Sequence, residues 1–281
     1  MTDLRPTMLS NSEQRLDGPG ERPVALVGDV LLRRIYSPQS YAQVRNSAVV
    51  PIVHSECEPL ASWFPLVWRR RELNLEFVAL RGLSNDERMQ APAARALLPV
   101  ILRAYPFVFD PSQPTGPDTP RMIDDVFADA PTDVGATITT VRHRLSRGTM
   151  TRFAFMDRFA REIGTTMAIG RALADMDAFE PWPLTFDIDG HRIHVPDLLV
   201  IRRTAFDDGS FAPLLREHGM SCAQMLSLHR VSLFRAGDLL ARAKAFLGQR
   251  RQMHLESSES LAPGTAAGRP LVGAPSELIQ S

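Results

Sequence analysis

The sequence predicts an α+β fold, a mostly antiparallel sheet with two long helices packed on one side. Three observations carry this. Aliphatic and aromatic runs broken by prolines fill Asn46 to Phe109, two alternating runs meet at Asp189-Gly190, and helical periodicity recurs over Thr151–Met176 and Ser221–Leu247.

Within the first stretch, Val49-Val50-Pro51-Ile52-Val53 is a short β-branched run whose proline predicts an edge position or an irregular end. Pro65-Leu66-Val67-Trp68 and Phe77-Val78-Ala79-Leu80-Arg81-Gly82 read as two further strands, with a short helical turn between Glu56 and Trp63. Ala93 to Arg103 has helical composition, and Pro99 inside it should bend or end that helix. Tyr105 to Phe109 returns to extended structure, because Pro106 biases its predecessor away from helical angles.

Asp110 to Pro120 is a Pro, Gly, Ser and Thr linker. Six aspartates between Asp110 and Asp133 precede six arginines at 142, 144, 147, 152, 158 and 161. The simpler reading is that the two stretches neutralise each other; the sharper one is an anion-binding face using Arg152 and Arg158. In the helix that follows, Met156, Phe159, Ile163, Met167, Leu173 and Met176 mark the apolar stripe.

Leu184–Ile188 and His191–Val195, joined by Asp-Gly, predict a β-hairpin with a tight primed turn, and Leu198 to Arg203 extends it or adds a strand. A short helix from Phe211 should stop at Gly219, and Ser221 should cap a last helix to Leu247. Leu226, Leu233, Leu240 and Leu247 recur every seven residues, with Cys222, His229, Ala236 and Ala243 four residues before each. Flanking apolar residues widen that stripe, which favours packing within the chain over a homodimer through 221–247. Residues 1–21 read as a disordered arm, 22–247 as one domain and 248–281 as a flexible tail.

The chain has 281 residues and zero formal net charge, so there is no global electrostatic case for nucleic acid or an anionic membrane. Its positive charge is almost all arginine, Lys244 being the only lysine. Cys57 and Cys222 are the only cysteines, which argues against a disulfide framework or a cysteine-rich zinc site. Neither a signal peptide nor a membrane-spanning run is evident, and the expected location is cytoplasmic.

No catalytic set stands out. On a strand His191 and His194 face opposite sides, so no metal site is expected there. Asp187-Ile188-Asp189-Gly190 lacks the later ligands of a calcium loop. His54-Ser55-Glu56-Cys57-Glu58 holds a nucleophile and a base without a glycine-rich oxyanion motif, and Cys57 reads as a packed thiol. No phosphate- or dinucleotide-binding glycine motif occurs, and no cofactor is expected. The candidate site is a groove of Trp63, Phe64, Trp68, Tyr105 and Phe107, whose interleaved prolines suit an extended peptide; these residues also suit a core.

The order of segments also resembles a known family. Val50-Pro51-Ile52-Val53 is followed by the acidic Glu56–Glu58, by Phe64-Pro65-Leu66-Val67, and by Leu80-x-Gly82-Leu83. Then come Pro99, Leu102-Arg103, Tyr105-Pro106-Phe107 and Phe179-Glu180-Pro181-Trp182-Pro183-Leu184. This arrangement, from about Ala48 to Leu247, resembles the SapC family, bacterial proteins named for a surface-layer locus. Ser84 to Ala94 lacks the Asn-Leu-Phe-Val phrase and Gly-x-Trp turn usual in that family. The resemblance implies a non-catalytic accessory or binding role connected with an exported or surface-layer peptide or protein, without catalytic residues. The alternative is an enzyme, or an enzyme's partner, in a peptide or small-molecule modification pathway, with the arginine-rich face holding an anionic substrate.

Overall fold

The computed structural model describes residues 22–71, 74–83, 98–125, 135–188, 191–207 and 209–260. The expected arm, the Ser84–Ala94 departure, residues 93–97 of the expected 93–103 helix and the Asp189-Gly190 turn lie outside the described residues. The chain divides after Phe246 into two units.

The first half supplies β1 (Pro23–Ala25), β2 (Arg34–Ile35), α1 (Ala42–Asn46), β3 (Val49–Pro51), α2 (Cys57–Ala61), β4 (Leu66–Arg71) and β5 (Asn74–Leu80). After them come α3 (Val100–Ala104), β6 (Phe107–Phe109), β7 (Arg121–Asp124), β8 (Ala136–Thr137) and the long α4 (Arg147–Asp175). The rest is β9 (Phe179–Pro181), β10 (Leu184–Ile188), β11 (His191–Val195), β12 (Leu198–Ile201), α5 (Ala212–Ser232) and α6 (Ala236–Ser260). The fold is α+β, and its paired strands are antiparallel throughout.

The main sheet has the order β3-β5-β4-β12-β9. Its edges are the two short strands that end in Pro51 and Pro181, residues that cannot donate to a further strand. One face presents Leu66, Trp68, Phe77, Ala79, Leu199 and Ile201 to Ile169 and Leu173 of α4 and to Cys222, Met225 and Leu226 of α5. Val67, Val78 and Val200, which alternate with them, are buried too. Burial on both faces explains why Leu66-Val67-Trp68 reads as a continuous apolar run.

A second sheet, β1-β7-β6, packs Phe107 and Ile123 against Met156 in the first half of α4. Helix α4 therefore serves both sheets, one with each half. It begins before the expected Thr151 because Ser146 caps it, its hydroxyl accepting from the Thr149 amide. It ends in a paired motif: Asp177, at φ +48°, donates to the Ala174 carbonyl, and Ala178 donates to that of Leu173.

Four expectations change. The β10–β11 hairpin forms with the expected register but as a separate two-stranded sheet; Pro183 and Pro196 end its strands, and only the flanking β9 and β12 join the main sheet. Pro99 starts a helix within the expected 93–103 span, since α3 begins at Val100 and a proline before the first turn forfeits no helical hydrogen bond; what immediately precedes Leu98 lies outside the described residues. Gly219 does break helical geometry, at φ +65°, but Ser221 is not a cap, because its hydroxyl donates back to the His218 carbonyl. The last helix passes Gly248, whose cost is about 1 kcal/mol against alanine, and continues through good helix formers to Ser260.

Helix α5 also repairs the main sheet. The ladder between β12 and β4 pairs Leu198 with Arg69 and Leu199 with Trp68, and that register would bring Ile201 opposite Leu66. His229 stands there instead. Its Nε2 accepts from the Ile201 amide at 3.1 Å and its Nδ1 lies 2.6 Å from the Leu66 carbonyl. Ser232 completes the splice, accepting from the Leu66 amide at 2.9 Å and donating to the His229 carbonyl at 2.7 Å. Accepting at Nε2 requires the neutral ring with its proton on Nδ1, and burial pushes the His229 pKa down to about 4.

Candidate functional site

The five aromatic residues do not line a common groove. Phe64 and Trp68 are buried in the core under the main sheet, Tyr105 lies in a cluster with Tyr41 and Val50, and Phe107 packs beneath the second sheet. Trp63 alone of the five reaches the surface, at 42% exposure. Large apolar side chains at alternating strand positions have two covered faces to fill, and the core reading wins for the other four.

Arg152 is also committed to the fold. Its guanidinium donates to the carbonyls of Tyr105 at 3.2 Å, Gly148 at 3.1 Å and Tyr36. Arg158 is different. It pairs with Glu162 on the next turn of α4 at 3.3 Å and donates to the Ser55 hydroxyl at 2.8 Å. Ser55 in turn donates to the other oxygen of Glu162. The anion-binding pair is thus split into one structural arginine and one half-exposed arginine already held by a carboxylate.

The Ser55–Arg158–Glu162 triangle belongs to a polar cluster that nearness in sequence does not reveal. His54 opens a 3-10 turn, and its amide and Nδ1 both lie 3.0 Å from the Thr166 hydroxyl, which donates to the Glu162 carbonyl. Burial lowers the His54 pKa; Glu162 opposes this, and the positive charges of His218 and Arg158 reinforce it. Ser55 faces a carboxylate already engaged by an arginine, so the base that would activate it as a nucleophile is weakened. The cluster can hold a hydrogen-bonding ligand; it is poorly built for acyl transfer.

Glu56, beside it, points inward. One carboxylate oxygen accepts from the Val53 amide at 3.0 Å and the other from the Val100 amide at 2.5 Å. A glutamate three residues into a helical turn commonly reaches back to the turn's first amide, and that half of the contact was available to sequence reasoning. The bond to Val100 was not. Burial raises the Glu56 pKa to about 7, against the pull of both amides. Cys57 and Cys222 are buried free thiols, with burial raising Cys57 and pushing Cys222 up to about 11, so neither is a ready nucleophile. His194 Nδ1 lies 3.0 Å from the Thr185 hydroxyl, and no group of His, Cys, Asp and Glu suited to a metal occurs among the described residues.

These contacts give physical work to the segments that order the sequence. Glu56 ties the turn after Val50-Pro51-Ile52-Val53 to the residue after Pro99. Within Leu80-Arg81-Gly82-Leu83, the amides of Arg81 and Gly82 both donate to the Ala48 carbonyl, at 2.7 and 3.2 Å. The buried Arg81 guanidinium binds the carbonyls of Val44 at 2.7 Å and Ser47 at 3.1 Å. In Tyr105-Pro106-Phe107, joined by a cis Tyr105–Pro106 bond, the Tyr105 hydroxyl donates to buried Asp124 at 2.6 Å.

No curated protein and no solved structure matches the chain. The family model described as SapC matches residues 33–239, a span that holds every one of these motif contacts. The chain belongs to the SapC family.

Proposed function

We propose that this SapC-family chain is a non-catalytic binding protein that handles an exported or surface-layer polypeptide. The observation that carries the reading is an apolar surface where α5 ends. Phe234 is 87% exposed and Val231 is exposed beside it. The Leu66 amide bonds Ser232 at the same end of the helix, and Trp63, three residues before Leu66, is exposed as well. An aromatic pair with an aliphatic neighbour is the usual chemistry of a polypeptide anchor. The groups that could instead do chemistry are engaged inside the fold: Arg152 by carbonyls, Glu56 by amides and His229 by both.

Photo-crosslinking from positions 63 and 234 in the native cell tests this, with exposed Glu180 as the control position. Covalent adducts with an exported polypeptide are expected from the first two positions and not from the third. Adducts to metabolites only would overturn the reading. So would an anionic ligand whose binding is lost in Arg158→Ala and unchanged in Phe234→Ser, which would favour the enzyme-partner alternative.

A further inference from the structure

Two described aspartates of the acidic stretch, Asp124 and Asp125, are engaged away from the arginines that follow it. Asp125 pairs with Arg33, and Asp124 is taken by the Arg22 amide and the Tyr105 hydroxyl. Arg142, Arg144 and Arg147 are all exposed, and none makes an ion pair with a described carboxylate. Arg142 and Arg144 sit on a loop with an exposed tip, and Arg147 opens α4 just behind it. Thr139 bridges to Leu145, the Thr140 amide donates to the Arg144 carbonyl at 2.7 Å, and His143 turns the tip at φ +56°.

The base of this loop is stitched to the 28–35 segment. The Ile138 amide donates to the Arg33 carbonyl at 3.2 Å, the Ser146 amide donates to the Ile138 carbonyl at 2.9 Å, and the Thr139 hydroxyl donates to the Leu31 carbonyl at 3.1 Å. Ile138 points into the core with Phe107 and Met156. The outward side carries exposed apolar side chains. Val141 at the tip is 98% exposed, Leu32 71% and Met150 60%, with Leu145 also exposed. Besides Arg33, which Asp125 pairs, and Arg34, residues 27–34 and 139–150 hold Arg142, Arg144 and Arg147 with His143, and one carboxylate, Asp29.

We propose that this surface docks on an anionic lipid membrane, with Val141, Leu32 and Met150 entering the interface and Arg142, Arg144 and Arg147 meeting lipid phosphates. The apolar side chains stand singly at projecting points, between cations, and so suit a fluid interface more than a shaped protein pocket. The charge complement is local: the zero net charge of the chain is compatible with a basic face, and attraction near a membrane decays within a Debye length. This surface shares no residue with the Trp63 and Phe234 pair, and it suggests where the chain would meet its polypeptide without a membrane-spanning helix, none of which occurs among the described residues.

Sedimentation of the full chain with vesicles tests the proposal. Vesicles of phosphatidylcholine with roughly a third phosphatidylglycerol should bind the chain about tenfold or more tightly than pure phosphatidylcholine, and the preference should fall with salt. The double substitution Arg142→Glu with Arg144→Glu should remove about tenfold or more of that binding, with circular dichroism and melting unchanged. Val141→Asp is the second variant, at a side chain with almost no contacts to lose, and should weaken binding as well. Trp63→Ser should bind vesicles as the parent does, so failure here is distinguishable from failure of the polypeptide reading. Absence of binding to anionic vesicles, equal binding to neutral ones, or an undiminished affinity in both loop variants would overturn the proposal. Binding to soluble polyglutamate in preference to vesicles would also overturn it and point to an acidic protein partner.

Discussion

Gly170 lies where α4 crosses the Trp68 ring. A Cβ there would stand 2.4 Å from Trp68 Cζ3 and 2.7 Å from Cη2, and the indole is fully buried, so neither partner has room to move. Alanine in a helix interior is ordinarily worth about 1 kcal/mol over glycine. Overpacking a core costs about 1–3 kcal/mol, and the steric term should win. Gly170→Ala is therefore expected to lower the melting temperature. Gly164, on the same helix with nothing within 4 Å of an added Cβ, is the control: Gly164→Ala should raise it. A Gly170→Ala protein melting at or above the parent would show that the indole is more loosely held than the contact implies.

Glu56 and His229 are buried ionisable groups with opposite consequences. The folded-state pKa of Glu56 is raised from 4.5 to about 7, so the folded chain binds more protons in that window. Its contribution to stability is full below the unfolded value and is lost as pH rises through about 7, by about 3 kcal/mol at ~1.4 kcal/mol per unit. His229 is lowered from 6.5 to about 4, so there the unfolded chain binds more protons. Its contribution is full above 6.5 and is lost as pH falls through about 4, again by about 3 kcal/mol.

At the scale of elements, what was legible depended on whether the cause was local. The β10–β11 hairpin and most of α4 could be read because alternation and helical periodicity are properties of a few neighbouring residues. That the hairpin stands outside the main sheet could not, since Pro183 and Pro196 mark strand ends without naming the strand each will meet. The earlier start of α4 followed from Ser146 and Thr149, whose capping contact lies behind Gly148 and was masked by it. Of the five aromatics only Trp63 lies at the surface, and nothing near Phe64, Trp68, Tyr105 or Phe107 in sequence announces that the helices cover them. The polar cluster was least visible, because Ser55 and Glu162 belong to elements more than a hundred residues apart that only tertiary packing brings together.

For the whole molecule the two titrations oppose each other between pH 4.5 and 6.5, where Glu56 favours acid and His229 disfavours it. Denaturant unfolding across that range should show a nearly flat stability for these two groups combined. Glu56→Gln should uncover the His229 slope, with stability rising with pH, and His229→Gln should uncover the opposite one. Absolute stability will fall in both variants, since each loses a backbone hydrogen bond, and only the slopes decide. Parallel pH profiles in the parent and both variants would mean that these groups do not set the dependence.

The β10–β11 hairpin offers a place to alter the protein without rewriting it. It leaves the main sheet after Pro181 and returns at Leu198, and the neck is closed by the Trp182 amide bonding the Leu198 carbonyl at 2.8 Å. Leu184 and Val195 at its base are buried, while Thr185, Asp187, Arg192 and His194 are exposed. Exchanging residues 185–194 for a two-residue Asn-Gly turn should leave a cooperative thermal transition within a few degrees of the parent's. The same neck would then carry a fluorescent or affinity tag in the middle of the chain, at residues distinct from Trp63, Phe234 and the arginine loop.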